Sequence, residues 1–286
     1  MYYGLIMLAV VMFGGCFALN DVYRSRRGSG FAVSLQYTLL SSAAGFAVLF
    51  AANGFTLRFT PFTVVMALAW AANSMLFSYF GFKALGYINL SLYSVFSMLG
   101  GMMLPFLQGI LFYGESVTAA KVICFLLLCA ALALTVRKGK AKKGTPFYLG
   151  IFVLNGMSGV ITKLFTASDL EKASATDYSV WAALCGVFLS AVLLLLVSRR
   201  EKPDKLTLPV AALISANGVI NKVANLLLVM ALAHVDASVQ YPMVTGGVMI
   251  VSTLLCFFGR NKPSRQEIAS VLVAFAGLLL LFLLPV

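Results

Sequence analysis

The feature that most constrains the fold of this chain is a series of long apolar runs separated by short polar segments. Each run has about 20 residues, enough for a helix to cross the roughly 30 Å hydrocarbon core of a bilayer. Of its 286 residues, 61% are hydrophobic and 10% are charged, whereas soluble domains carry about 25% charged residues. The runs lack the alternation of barrel strands. The sequence therefore predicts an all-α membrane protein, in which each helix satisfies its own backbone.

The apolar runs predict ten transmembrane helices in two groups of five. The N-terminal run has no basic segment before it, so we interpret it as the first helix and not as a signal peptide. The short connections are typical of antiparallel neighbours in a compact bundle. The helices are expected at residues 2–20, 31–53, 62–82, 88–113 and 117–136 in the first group, and at residues 146–166, 178–198, 207–232, 235–258 and 266–284 in the second.

The two groups are predicted to be repeats of one design. A basic linker at residues 137–145 separates a five-helix unit at 1–136 from another at 146–286. A shift of 147 residues places Ala84, Leu85, Ser91, Gly100 and Met102 on Ala231, Leu232, Ser238, Gly247 and Met249. Because five is an odd number, the second repeat inserts upside down relative to the first. Inverted repeats of this kind are a transporter architecture, with the site near the bilayer midplane.

The net charge of +12 comes from basic residues that are concentrated on one side of the predicted bundle. The positive-inside rule places that side in the cytoplasm. With an even number of spans, both termini of this multi-pass protein of the cell (plasma) membrane are then predicted to lie outside. Sixteen basic residues lie on the cytoplasmic side, namely Arg24, Arg26, Arg27, Lys83, Arg137, Lys138, Lys140, Lys142, Lys143, Arg199, Arg200, Lys202, Lys205, Arg260, Lys262 and Arg265, against Arg58, Lys121 and Lys172 on the other.

One stretch carries a resemblance to a known family. It reads LPFLQGILFYGESVTAAKVICFLLLCAALAL, with Pro105 inside the fourth helix and the pair Gly114 and Glu115 at its end. A fifth helix rich in small residues follows. This pattern resembles the EamA family of the drug/metabolite transporter superfamily. The second half offers YPMVTGG but has Asn261 and Lys262 where the Gly-Glu pair would stand.

The resemblance covers the whole chain as two repeats, through short motifs. It implies a ten-helix transporter of small organic solutes, without implying which solute. Many members of the family are described as having both termini in the cytoplasm. The distribution of basic residues in this chain predicts the opposite orientation, and we keep that prediction.

The eighth predicted helix has the densest group of polar residues within an apolar run. Asn217, Asn221 and Asn225 recur every four residues and share one helix face, and Lys222 lies beside them near the middle of the run. A lysine at that depth costs about 2.5–3.5 kcal/mol on insertion scales, so it is a functional candidate. The asparagines alone also suit hydrogen bonds between helices. We predict that Lys222 faces a cavity and binds the charge of a substrate.

Other polar residues within the runs complete the predicted substrate site: Asn73, Tyr93, Ser97, Asn155, Gln240 and Tyr241. The third, fourth, eighth and ninth helices are therefore expected to surround a cavity, with the fifth and tenth at the periphery. No acidic residue falls in the middle of a run. A buried Lys222 would thus pair with a carboxylate or phosphate of the substrate, or be neutral in an empty site. Lys163, near the end of its run, is expected to reach the membrane surface.

These features predict a secondary transporter of a small anionic or zwitterionic metabolite, such as an amino acid or organic acid. Two alternatives stay open: a transporter of organic cations with an aromatic cage, and a non-transporting membrane scaffold or lipid-handling protein. The sequence has no catalytic constellation, metal-ligand cluster or P-loop, so no enzymatic activity, metal or cofactor is expected. The expected partners are a small-molecule solute and the lipid bilayer, without nucleic acid. A coupling ion or counter-substrate and a homodimer stay open.

Overall fold

The computed structural model describes residues 2–27, 30–84, 90–135, 145–197, 206–258 and 265–284, with the side chains of residues 18, 21, 24, 25, 90–96, 132, 135, 145, 256–258, 267 and 282 left out. Ten helices make up almost all of this part of the chain. Their bounds are α1 (Tyr2–Arg27), α2 (Phe31–Ala52), α3 (Pro61–Ala84), α4 (Leu90–Tyr113), α5 (Ala119–Thr135), α6 (Thr145–Ala167), α7 (Ala175–Val197), α8 (Leu208–Leu232), α9 (Ala237–Phe258) and α10 (Arg265–Leu283).

Within the described ranges, six helices are long and apolar enough to cross a membrane: α2, α3, α6, α7, α8 and α9. The described apolar stretches of α1, α4, α5 and α10 have between 10 and 17 residues. The prediction of an all-α protein is confirmed. The length and composition of the six helices indicate a multi-pass membrane protein.

Most helix bounds lie within two residues of the predicted ones, and two differ by three or more because polar side chains extend the helices beyond the apolar runs. The predicted first helix ends at residue 20, whereas α1 continues to Arg27. In its last turns Tyr23 is buried and donates a hydrogen bond to the carbonyl oxygen of Val33, 3.2 Å away. Helix α7 begins three residues earlier than predicted. The Ser174 hydroxyl accepts from the Asp177 N–H at 3.0 Å, and the Asp177 carboxylate accepts from the Ser174 N–H at 3.3 Å, which is a capping box.

Contacts between the helices follow a twofold pattern. Helix α1 packs on α8 and α9, and its counterpart α6 packs on α3 and α4. Helix α2 packs on α8 as α7 packs on α3, and three helices, α2, α4 and α5, pack on their own counterparts α7, α9 and α10. Exchanging every helix with the one five places along the chain leaves this set of contacts unchanged.

Glycines permit equivalent close crossings in the two halves. A Cβ added to Gly100 of α4 would collide with the backbone of Phe152 in α6. A Cβ added to Gly247 of α9 would come within 2.8 Å of Val10 in α1. Gly100 and Gly247 are related by the same 147-residue shift that aligns the two halves of the sequence.

We expect Gly100→Ala to destabilise the folded protein by about 1–3 kcal/mol, the usual effect of overpacking. The new methyl group would meet the backbone carbonyl of Phe152, which cannot rotate away as a side chain can. Thermal unfolding of purified protein in detergent measures the effect. Gly15→Ala in α1 is the matched control, since a Cβ there meets nothing within 4 Å. Equal melting temperatures for the two variants would contradict the close crossing.

Helices α5 and α10 pack against each other at the edge of the bundle. Buried Cys124 and Leu128 of α5 and Ala274 of α10 belong to the largest hydrophobic core. Leu126 and Leu272, on the opposite faces of the same helices, are exposed. Apolar side chains facing outwards in this way suit contact with hydrocarbon, which leaves the other eight helices to enclose the interior.

Candidate functional site

A cavity of about 280 Å³ lies inside the bundle. Its volume is just below the range of about 300–1,000 Å³ typical of small-molecule sites. The described lining residues come from α1, α2, α3, α4, α6, α7, α8 and α9, and none of them belongs to α5 or α10. The four helices predicted to surround a cavity thus contribute to its wall, and so do α1, α2, α6 and α7. Aromatic rings and small polar side chains make up most of the wall.

Lys222 is the one charged side chain among the described residues that line this cavity. It is 8% exposed, and its Nζ lies 4.5 Å from the centre of the Trp70 ring. Its aliphatic stem lies against α2 at Gly45, where an added Cβ would come within 2.5 Å of Lys222 Cγ. Within the described part of the chain, it makes no hydrogen bond or ion pair.

The aromatic contact compensates the Lys222 charge only in part. A cation over an aromatic face gains about 0.5–2 kcal/mol. Burying an ion costs several kcal/mol, which a nearby opposite charge with good hydrogen bonds must offset. The charged form of Lys222 therefore lacks an opposite charge among the described residues, and the cavity has room for an anionic partner.

The asparagine residues of α8 are divided between the cavity and the helix contacts. Asn221 and Asn225 line the cavity, and Asn225 Nδ2 donates to the Asn221 carbonyl oxygen at 2.8 Å. Asn217 is outside the described lining and is 1% exposed. Its Nδ2 donates to Asn20 Oδ1 at 2.7 Å and to the Tyr37 hydroxyl at 2.8 Å. Asn217 thus joins α1, α2 and α8, while Asn20 and Tyr37 themselves line the cavity.

Three more of the predicted site residues line the cavity: Asn155, Ser97 and Tyr241. Asn155 Nδ2 donates to the Ser97 carbonyl oxygen at 2.6 Å, which connects α6 to α4. The Tyr241 hydroxyl donates to the Gly159 carbonyl oxygen at 3.1 Å, which connects α9 to α6. These residues position helices from both halves around the same space.

Asn73 and Gln240 take part in helix contacts outside the described lining of the cavity. Asn73 Nδ2 donates to the Leu154 carbonyl oxygen at 2.8 Å, tying α3 to α6. Gln240 is fully buried, and its Nε2 donates to the Leu228 carbonyl oxygen at 3.1 Å. The side chain of Tyr93, also predicted to belong to the site, lies outside the described residues.

Two aromatic residues of the cavity wall, Trp70 and Tyr178, were not predicted from the sequence. Trp70 is the ring beneath the Lys222 ammonium group, and Tyr178 stacks on Phe165 with ring centres 4.2 Å apart. An aromatic residue in an apolar run is usually a packing residue, so neither stands out. One signal was available for Trp70, because the 147-residue shift places it on Asn217.

A second group of buried charges lies at the end of the bundle that carries loops 53–60, 114–118, 168–174 and 233–236, which we call the short-loop end. Glu115 Oε1 lies 2.7 Å from Lys163 Nζ, and the two side chains are 4% and 10% exposed. The expectation that Lys163 reaches the membrane surface is wrong, because Glu115 neutralises its charge inside the bundle.

Glu115 also caps helix α9. The N–H groups of Ala237 and Ser238 donate to Glu115 Oε1 and Oε2 at 3.0 and 2.9 Å. A carboxylate suits a helix N-terminus, where free N–H groups and the helix dipole favour negative charge. Burial raises the pKa of Glu115, but the hydrogen bonds from Lys163, Ser238 and Ala237 outweigh it and hold the pKa below its ordinary value. The carboxylate is therefore ionised in the folded protein.

Further polar contacts connect the helices at the short-loop end. Lys121 Nζ lies 2.9 Å from Asp236 Oδ2, which ties α5 to the junction of α8 and α9. Asp177 Oδ1 accepts from Asn53 Nδ2 at 2.9 Å and from the Arg58 N–H at 3.1 Å, which ties the loop between α2 and α3 to α7. The short-loop end is held together by charges and hydrogen bonds that run across both halves.

Comparisons with known proteins show the fold alone. No family model matches the sequence, and no curated protein matches it. Twenty-nine chains of solved structures match this one. One of them, described only as the crystal structure of a protein, has a TM-score of 0.76 at 17% sequence identity and covers 96% of this chain and 94% of its own. The described chain is thus all-α, with six helices long and apolar enough to span a membrane, and it shares its fold along nearly its whole length with this solved structure.

Proposed function

We propose that this chain is a secondary transporter that moves a small anionic or zwitterionic metabolite, such as an amino acid or an organic acid, by alternating access. The observation that carries the proposal is the buried Lys222, the one charged side chain among the described residues of the cavity wall. A carboxylate on the substrate would supply both the missing opposite charge and the acceptors for charge-assisted hydrogen bonds. The resemblance to the EamA family agrees with a carrier of small organic solutes.

The other wall residues suit the rest of such a solute. Trp70 and its aromatic neighbours offer apolar surface next to the ammonium group. Asn155 and Asn225 each use the amide nitrogen to donate to a backbone carbonyl oxygen, of Ser97 and Asn221 respectively. Their amide oxygens remain as acceptors. An ammonium or hydroxyl group on the substrate would be bound by such acceptors.

A carrier also needs two conformations. The twofold pattern of helix contacts supports an arrangement of two repeats that can move against each other. We include in the proposal ten spans that form two inverted repeats, residues 1–136 and 146–286. In transporters of this architecture, movement of one repeat against the other exposes a central site to each side in turn. A scaffold without a transport cycle has no use for a cavity with a buried cation, so the cavity favours a carrier.

A thermal-shift screen of the purified protein against a panel of metabolites tests the proposal. A ligand that binds only the folded state raises the melting temperature, by an amount equivalent to about 2.7 kcal/mol at 100 times its Kd. We expect carboxylates and amino acids to stabilise the protein and their neutral amides not to do so. Stabilisation by quaternary ammonium compounds alone would contradict the proposal and favour the organic-cation alternative.

The proposed topology places the basic loops in the cytoplasm and both termini outside the cell. On a background without the five native cysteines, single cysteines introduced beside either terminus should react with an impermeant maleimide in intact cells. A cysteine within residues 137–145 should react only after lysis. The reverse pattern would overturn the orientation, which rests on the positive-inside rule, and would leave the repeat architecture untouched.

A further inference from the structure

The described side chains that line the cavity around Lys222 include no acidic group, and the side chain of Asp21 in α1 lies outside the described residues. Helix α3 contributes the Trp70 ring, and the described lining residues of α4 and α6 are not titratable. The titratable side chains that face the cavity from the remaining helices are Cys16 of α1, Tyr37 of α2, Tyr178 of α7 and Tyr241 of α9. Thiols and phenols are ordinarily uncharged at neutral pH, so none of these groups balances the ammonium charge.

Three acids at the described helix ends, buried Glu115 and Asp177 and the more exposed Asp236, already have partners. Glu115 pairs with Lys163 at 2.7 Å, and Asp236 pairs with Lys121 at 2.9 Å. Asp177 accepts hydrogen bonds from Asn53, from the Arg58 N–H and from Ser174. Of the described buried lysines, Lys121 and Lys163 are thus paired with acids. The charge of Lys222 depends instead on what occupies the cavity.

The protonation state of such a lysine depends on what occupies the cavity. An amine buried without an opposite charge favours its neutral form, because burial penalises the ion. The face of Trp70 offsets this penalty only in part. A carboxylate within hydrogen-bond distance reverses the balance, because an adjacent negative charge favours the ammonium form. Binding an anion and binding a proton are therefore linked at this side chain.

We propose that Lys222 couples transport of the anion to transport of one proton. The amine is neutral in the empty cavity, takes up a proton as the anion binds, and gives it up as the anion leaves. One amine, one proton and one carboxylate form an ammonium–carboxylate pair, and no covalent bond to carbon is made or broken. A monoanion would thus cross the membrane without net charge. This inference rests on the proposed function and adds the coupling ion to it.

Proton uptake during binding tests the coupling directly. Full-length purified protein in weakly buffered detergent would be titrated with acetate, succinate and benzoate, with a pH indicator reporting protons and thermal shift reporting binding. All three probes are fully ionised at about pH 7 and above, so any proton taken up goes to the protein. We expect the number of protons taken up per bound ligand molecule to approach about one as the pH is raised to about 9. Benzamide, the neutral counterpart of benzoate, should cause none.

Lys222→Arg is the matched variant. A guanidinium group stays charged whether the cavity is full or empty, so this variant should bind the carboxylates with little proton uptake. Proton uptake equal to that of the native protein would assign the proton to another group and overturn the inference. Carboxylate binding by the native protein without proton uptake would also overturn it and leave the proposed function standing. Binding of none of the three probes would overturn both. If the variant fails to fold, the number of protons that the native protein takes up per bound ligand molecule decides whether the inference holds.

Discussion

Lys222→Met should abolish binding and transport of an anionic solute while the protein stays folded. Methionine retains most of the length of the stem that lies against Gly45, and it removes a buried ionisable group. Stability in detergent should therefore be unchanged or increased. Removing one partner of a buried charge pair costs about 2–5 kcal/mol of binding, which corresponds to a loss of affinity of about 30-fold or more. Affinity from thermal shift and uptake into proteoliposomes measure the two effects.

Two further variants separate charge from structure. Lys222→Arg should keep part of the affinity, because it retains the charge but changes the shape of the head group. Lys172→Met, at an exposed lysine of the loop between α6 and α7, should leave binding unchanged. Unaltered binding of the anionic solute by Lys222→Met would show that Lys222 has a structural role. Tighter binding of organic cations by that variant would favour the rival transporter.

Glu115→Ala should destabilise the folded protein by about 3–5 kcal/mol, the usual effect of removing one partner of a buried ion pair. The substitution leaves Lys163 buried with an uncompensated charge and removes the acceptors for the Ala237 and Ser238 N–H groups. Loss of a helix cap alone costs about 0.5–2 kcal/mol. Chemical unfolding of the purified protein in detergent measures the change, and an unchanged unfolding midpoint would contradict the structural role of the pair.

The double variant Glu115→Gln with Lys163→Met is the control for this prediction. It leaves neither position of this pair charged, so it should recover much of the stability that Glu115→Ala loses. Asp236→Asn should cost less than Glu115→Ala. Asp236 is 47% exposed, and its partner Lys121 also donates to the Ser116 carbonyl oxygen at 3.0 Å.

The same ion pair predicts a dependence of stability on pH. Hydrogen bonds hold the pKa of Glu115 in the folded protein below its ordinary value of 4.5, against the opposing effect of burial. The unfolded state therefore binds the proton more readily as the pH falls. The stability that Glu115 contributes is fully present above pH 4.5 and is lost as the pH falls through the folded pKa. Glu115→Gln should remove this part of the acid sensitivity.

The helices could be predicted from the sequence because an apolar run of membrane-spanning length can be identified without knowing which residues pack against it. Lys222 could be singled out for the same reason, since a lysine in the middle of an apolar run is costly wherever the partners lie. Lys222 lines the cavity together with Asn221 and Asn225. The side of α8 on which these residues lie follows from their spacing along the helix, so it could also be predicted.

Contacts between distant helices could not be predicted in this way. Glu115 and Lys163 each lie near the end of an apolar run, where a charge is ordinarily solvated, and only the packing of α4, α6 and α9 brings them together. Asn217 shares the helical spacing of Asn221 and Asn225, yet Asn20 and Tyr37 bind it outside the described lining of the cavity. The spacing of residues along one helix shows which of them share a face. It does not show which of them meet a neighbouring helix.

The most direct test of the central claim is an experimental structure of the protein with a bound carboxylate taken from the thermal-shift screen. The account predicts a carboxylate oxygen about 2.7–2.9 Å from Lys222 Nζ, the usual length of a charge-assisted hydrogen bond. The apolar part of the ligand should lie against the Trp70 ring. A ligand whose carboxylate is bound elsewhere, with Lys222 still free of any anion, would contradict the account.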